Sequence, residues 1–153
     1  MANRNEKLGG RGIYLAGSIS AGREFSRNLP VIARAIEGQG FQILSESVLD
    51  PGEDLFGLSR EKAKWIFRRD VDRIAESVGV IAEVSTPSFG VGYEICEALH
   101  CAKPVLCLRH QSLEKLLLSA LIFGNTSPLI SVQFYEEQTV DSIVAEFLSK
   151  IAR

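Results

Sequence analysis

Short apolar runs, rich in β-branched residues, alternate along this chain with longer stretches of helical periodicity. Gly12 to Ala16 is a short β-like run that ends at Gly17. Helical spacing follows from about Gly22 to Glu37, closed by Gly38 and Gly40. Phe41 to Leu44 reads as a second strand. Ser47 to Gly57 carries Pro51, Gly52 and Gly57 among acidic residues and reads as a loop. Ser59 can cap a helix running to about Ser77. Val78 to Val84 is short, β-branched and nearly uncharged, the pattern of a buried strand. Pro87, Gly90 and Gly92 break it, and Val91 to Ala102 follows with Val91, Ile95, Ala98, Leu99 and Ala102 on one helical face. Lys103-Pro104 ends that helix, and Val105 to Leu108 gives a fourth strand. Ser112 can cap a helix from Leu113 to about Phe123, closed by Gly124-Asn125. Ile130 to Tyr135 alternates as a fifth strand, and Gln138 to Ala152 is a last amphipathic helix.

Strand and helix in regular alternation predict an α/β fold: a five-stranded parallel sheet, doubly wound, in a flavodoxin- or Rossmann-like three-layer sandwich. The expected strand order is 2-1-3-4-5. Ligands of such open sheets bind beyond the carboxyl ends of the strands, at the switch point. The strand ends that matter are then Gly17-Ser18, Glu46-Ser47 and Ser85 to Gly92. Residues 1–11 are polar and Gly-rich, without the apolar core of a signal peptide, and are expected to form a flexible tail. Residues 12–153 are expected to form a single nucleotide-binding domain.

Composition narrows the partners. The 153 residues are 46% hydrophobic and 24% charged, proportions of a globular protein with a real core. A formal net charge of −2 leaves no footprint for a nucleic acid polymer. No apolar run approaches the length of a membrane span. The three cysteines, Cys96, Cys101 and Cys107, have no metal-like spacing and suit reduced thiols in a cytoplasmic setting.

Two strand-end turns carry candidate chemistry. Gly17-Ser18-Ile19-Ser20-Ala21-Gly22-Arg23 offers backbone N–H groups, hydroxyls and a guanidinium, a set that suits a phosphate. It matches neither the dinucleotide fingerprint nor a P-loop, and an ordinary strand-to-helix turn is the alternative. Ser88-Phe89-Gly90-Val91-Gly92 forms the second turn, where Ser88 can equally be a plain helix cap. Glu94 lies in or just past the first helical turn. It is explained either by the positive helix end or by chemistry on the sugar or base of a nucleotide. Asp70 and Asp72 stand late in their helix, where negative charge is mildly unfavourable, and Asp70 has the apolar neighbours Trp65, Ile66 and Ile74. Tyr14 sits within the first strand, where a carboxylate at the next strand end could accept from its hydroxyl. His100 and His110 have no matching second ligand, and Ser18, Ser88 and Ser119 lack a His/Asp pattern.

These residues bring a family into view. Ile13-Tyr14-Leu15-Ala16-Gly17-Ser18-Ile19 with Gly22-Arg23, then Arg69-Asp70, Ile81-Ala82-Glu83-Val84 and Pro87-Ser88-Phe89-Gly90-Val91-Gly92-Tyr93-Glu94 follow in order. Together they resemble the 2'-deoxynucleoside 5'-phosphate N-hydrolases, relatives of the nucleoside 2-deoxyribosyltransferases. The similarity runs from about Gly12 to Tyr135, with weaker matches at Leu118-Ser119-Ala120 and Tyr135-Glu136-Glu137.

The resemblance implies hydrolysis of the N-glycosidic bond of a nucleoside 5'-monophosphate, giving a free base and a sugar 5-phosphate. It implies Glu94 as nucleophile on C1', Asp70 assisting protonation of the departing base, and Tyr14 holding Glu94. It implies that Gly17 to Arg23 and Ser88, with the Gly90 and Gly92 backbone, bind the 5'-phosphate. Ser119 would reach that phosphate from a second subunit of a homodimer. No metal or organic cofactor is implied. Mammalian members carry an arginine where this chain has Ser20, and a histidine where it has Ser47. Deoxyribosyl transfer between bases, or nucleotide binding without catalysis, are the competing functions on the same fold.

Overall fold

A computed structural model of the chain describes residues 10–18, 25–45, 57–116 and 118–152. The sequence candidates Ile19, Ser20, Ala21, Gly22, Arg23 and Ser47 lie outside the described residues.

Strands β1 (Gly12–Ala16), β2 (Gln42–Ile43), β3 (Gly79–Glu83), β4 (Val105–His110) and β5 (Ile130–Tyr135) form one parallel sheet in the order β2-β1-β3-β4-β5, as expected. Among the described residues the α-helices are α1 (Leu29–Gly38), α2 (Arg60–Glu76), α3 (Phe89–His100), α4 (Ala120–Phe123) and α5 (Val140–Ile151). Side chains alternate across each strand, so the sheet feeds two separate cores. Ile13, Leu15, Ile81, Leu106 and Leu108 pack with Ile32 and Ile36 of α1 and Val144 and Leu148 of α5. Tyr14, Ala16, Val80, Ala82 and Cys107 face the other way, toward Ile74 of α2 and Val91, Ile95 and Ala98 of α3. Tyr14 therefore points to the layer that carries Glu94.

β2 contributes only Gln42 and Ile43, yet β1 does not lose its backbone partners there. The buried Ser45 hydroxyl donates to the Leu15 carbonyl (2.6 Å) and accepts from the Leu15 N–H (2.8 Å). Its side chain extends the ladder that β2 leaves short.

Four expectations are corrected. The helix expected over about Gly22 to Glu37 is not continuous: among the described residues a 3-10 turn covers Ser26–Asn28 and the α-helix runs from Leu29, while Gly22 itself lies outside the described residues. Pro30 is the reason: it fits the first helical turn, whereas a helix begun earlier would bury it in the interior at about 3 kcal/mol. Gly90 and Gly92 are not part of a turn. Ser88 caps α3 by accepting from Val91 N–H (3.4 Å), and both glycines lie inside the first helical turns. The same helix stops at His100, and Ala102 stands beyond it at φ 53°, exposed rather than on the packed face. The Lys103 N–H reaches the Ala98 carbonyl (2.9 Å), closing a left-handed cap usually built on glycine.

The helix expected from Leu113 to Phe123 is broken. A 3-10 turn covers Gln111–Leu113, and only Ala120–Phe123 is α-helical. Buried Arg109 supplies the reason: its guanidinium donates to the carbonyls of Leu113 (3.4 Å) and Leu116 (3.0 Å). The Leu113 carbonyl also accepts the Leu116 N–H (2.9 Å), so a tight turn held by Arg109 stands where a continuous helix was expected. No described helix is long and apolar enough to cross a membrane.

Candidate active site

The centre of the site is a hydrogen bond between residues eighty positions apart: Tyr14 Oη donates to Glu94 Oε1 at 2.6 Å. β1 aims the tyrosine at the α2–α3 side, and Ser88 fixes the start of α3 so that Glu94 comes over it. Burial pushes the Glu94 carboxyl up to about 7, the nearby Asp70 charge adds to this, and the Tyr14 hydrogen bond pulls the other way. Tyr14 is raised far above the ordinary phenol range, first by burial and then by Glu94. Tyr14 is therefore a proton donor to Glu94 at every working pH. Half-buried Glu94 is a carboxyl whose charge is poorly solvated.

Asp70 belongs to the same neighbourhood, because its charge acts on both Tyr14 and Glu94. Its carboxyl is gripped by the adjacent Arg69, through Nε to Oδ1 (2.8 Å) and Nη2 to Oδ2 (3.2 Å). Arg69 in turn stacks on Trp65, 4.9 Å from the ring centroid. Trp65 is 57% exposed, so the apolar shelter expected around Asp70 is largely a stacked guanidinium instead. Asp72 is exposed on the same helix, away from this set.

The turns at the strand ends flank the pair. Ser18 is buried directly after β1, behind Gly17. A side chain at Gly17 would come within 2.5 Å of Leu29 at the start of α1, so this glycine is set by close packing. Gly90 and Gly92 have no such reason. A Cβ at Gly92 would meet nothing within 4 Å, and one at Gly90 only Ser88 Oγ at 3.7 Å. Each glycine costs the helix about 1 kcal/mol relative to alanine. The α3 N-terminus thus keeps a bare backbone face beside Ser88, suited to an anion. Ser119 is exposed at the head of α4 and makes no side-chain cap bond there. The described residues bring Tyr14, Asp70, Glu94, Gly17, Ser18, Ser88, Gly90 and Gly92 to one edge of the sheet, and leave Ser119 on the surface of α4.

A second polar cluster at that edge was not anticipated. Glu83 is 2% exposed at the end of β3. It accepts from the Ser85 hydroxyl, the Ser85 N–H (3.3 Å) and Tyr135 Oη (3.1 Å). Burial raises its proton affinity, while these bonds and Arg109 oppose that. Ser85 Oγ accepts from His110 N–H (2.8 Å), and Tyr135 Oη accepts from Asn28 Nδ2 (2.9 Å). The signal available in the sequence was one glutamate inside an otherwise apolar strand, since a buried charge must be bonded. Among the described residues no group of three or more His, Cys, Asp or Glu could hold a metal.

A parallel sheet of this order, with a tyrosine-held glutamate at its carboxyl edge, defines a class also visible by comparison. Residues 13–139 match the family model described as nucleoside 2-deoxyribosyltransferase. The chain belongs to the nucleoside 2-deoxyribosyltransferase family. A Methanosarcina mazei relative, which carries the provisional name 2'-deoxynucleoside 5'-phosphate N-hydrolase 1, is 36% identical over 141 residues, 92% of this chain and 85% of its own length. The 5-hydroxymethyl-dUMP N-hydrolase of Danio rerio is 35% identical over 147 residues, covering 92% of this chain and 98% of the relative. Among solved structures, a CMP N-glycosidase of Clostridium botulinum superposes with a TM-score of 0.59 at 20% identity, over 87% of this chain and 97% of that one. A 2-deoxyribosyltransferase of Bacillus psychrosaccharolyticus superposes with 0.62 at 16% identity, over 85% and 90%.

Proposed function

We infer that this chain is an N-glycosidase that hydrolyses (2'-deoxy)nucleoside 5'-monophosphates to the free base and the sugar 5-phosphate. The observation that carries the mechanism is the Tyr14–Glu94 pair. Glu94 attacks C1' of the sugar as the C1'–N bond breaks, and the bonding pair leaves with the base. Water then opens the glycosyl ester and returns the carboxyl group. Tyr14 keeps one carboxylate oxygen occupied, which leaves the other to face the sugar. Asp70 assists the base as it takes a proton, a role that requires the Arg69 fork to release one carboxyl oxygen. Ser18, Ser88 and the backbone at Gly90 and Gly92 bind the 5'-phosphate, together with Gly17 and the segment Ile19-Ser20-Ala21-Gly22-Arg23. The reaction asks for no cofactor.

We further propose a homodimer in which Ser119 reaches the neighbour's phosphate. Its support is an unfinished surface. Only Ile74 of the long helix α2 is buried, while Phe67 (53%) and Tyr93 (50%) stand exposed in ring contact at 5.8 Å, and Phe89 is fully exposed. An aromatic patch of this kind on α2 and α3 suits a second copy. The dispersed free thiols suit a cytoplasmic location.

Incubation with a panel of ribo- and deoxyribonucleoside monophosphates, with free base followed by chromatography, tests the reaction. Release of base from at least one monophosphate is expected. A second base in the mixture should give no new nucleoside; its appearance would make the enzyme a transferase, the reading favoured by the family description alone.

A further inference from the structure

Glu83 bonds directly to Ser85, in the connection that leads to Ser88, and through Tyr135 to Asn28 at the start of α1. Two relays of hydrogen bonds converge on its carboxylate, and every donor in them points toward it. One runs from Asn28 Nδ2 to Tyr135 Oη and on to Glu83. The other runs from the His110 N–H to Ser85 Oγ and on to Glu83.

The first relay holds the entrance of α1. Asn28 immediately precedes Leu29, and the Leu29 side chain packs on Gly17, 2.5 Å from where a Cβ would stand, so a side chain at Gly17 would displace it. The seat of Leu29 therefore sets Gly17 and the buried Ser18 that follows it. The second relay holds the exit of β3. Ser85, fixed at both backbone and hydroxyl, opens the connection that ends in Ser88 and α3. The Tyr135 ring packs edge-on against the His110 ring, with centroids 5.5 Å apart, which helps to hold it in place.

We propose that Glu83 is a positioning residue that sets Ser18 and Ser88 at the spacing a 5'-phosphate requires, acting through Tyr135–Asn28 on one side and Ser85 on the other. This rests on the proposed function for the identity of the anion. An acceptor-only carboxylate suits such a hub, because four donor contacts end on it without any partner having to turn round. A network satisfied in this way holds its members as a unit.

Tyr135→Phe keeps the ring and removes both hydroxyl links, and Asn28→Ala removes only the outer one. Both single variants and the double variant are compared with wild type in two assays. The first is binding of 2-deoxyribose 5-phosphate by calorimetry, with inorganic phosphate as second probe. The second is kinetics on a nucleoside monophosphate and on its phosphate-free nucleoside. Each single change should weaken 2-deoxyribose 5-phosphate binding and raise KM for the monophosphate by about five- to tenfold, with kcat within about twofold and KM for the nucleoside unmoved. The double variant should be no worse than Tyr135→Phe, because both changes cut one relay. Equal losses on both substrates, a fall in kcat in place of KM, or additive single effects would overturn the proposal. Should wild type release no base, the proposed function fails, and the calorimetry decides the positioning role alone. A wild type that binds neither probe would overturn both.

Discussion

Two glutamates at the same sheet edge, each bonded to a tyrosine, meet opposite fates. Glu83 is closed in, with donors on both oxygens, Arg109 nearby and 2% of its surface exposed. Among the described residues Glu94 has one donor, Tyr14, and the Asp70 charge repels it. Burial raises the proton affinity of both. The difference lies in what compensates for lost water. At Glu83 the protein supplies nearly every lost hydrogen bond, so the carboxylate is spent on holding structure. At Glu94 the described residues supply one, and an under-solvated carboxylate is a better nucleophile than a saturated one.

The sharpest way to break this contrast is to neutralise each carboxylate in turn. Glu94→Gln should lower kcat by about 10⁴-fold or more while monophosphate binding persists. Glu83→Gln should leave turnover within about tenfold but cost about 2 kcal/mol of stability, since a donor then faces donors in a dry site. Reversal of the two results, read by kinetics and urea unfolding, would exchange the roles.

The stability sign separates them as well. Folding raises the Glu94 carboxyl from 4.5 to about 7, so the folded state holds more protons across that window and loses stability as pH rises through it. Glu94→Gln should therefore stabilise the fold by about 1–2 kcal/mol at about pH 8, and the gain should vanish below about pH 5. For the same reason kcat/KM should rise with pH, with a midpoint near 7 set by ionisation of the nucleophile. Tyr14→Phe removes the bond that opposes burial, so that midpoint should move up by about one unit. A midpoint that stays in place would show that the tyrosine does not govern the carboxylate.

Much of this arrangement was legible beforehand, for identifiable reasons. Five apolar runs separated by helical stretches were enough for a parallel α/β sheet, because parallel crossovers leave few topologies, and the order taken from the flavodoxin type among those few is the one present. From the residues alone Tyr14 could be given only a carboxylate at the next strand end as partner; the family resemblance implied that this was Glu94, and the 2.6 Å bond is present. Glu83 stayed hidden because it sits in an apolar run and finds its partners on β5 and before α1, far away in sequence. The break in the predicted Leu113–Phe123 helix was equally out of reach, since a guanidinium from β4 decides it. Residues 1–9, 19–24, 46–56, 117 and 153 lie outside the described residues, and with them most of the first segment proposed to bind phosphate.

Smaller effects sharpen the difference between site and scaffold. Gly92→Ala should stabilise α3 by about 1 kcal/mol, since no atom crowds the added methyl, yet raise KM by filling the bare helix end. Thermal melting and KM, measured together, check that trade. Ala102→Gly, at the left-handed cap far from the site, should gain about 0.5 kcal/mol with KM and kcat untouched. Loss of stability there would mean that the left-handed cap is not strained.

The most direct test of the account is a quenched reaction of the wild-type enzyme with a turned-over nucleoside monophosphate, digested and mapped by mass spectrometry. A sugar-phosphate ester on the peptide that carries Glu94, absent from Glu94→Gln, is the predicted result. The same adduct on another residue, or its survival in Glu94→Gln, would contradict a nucleophile at Glu94.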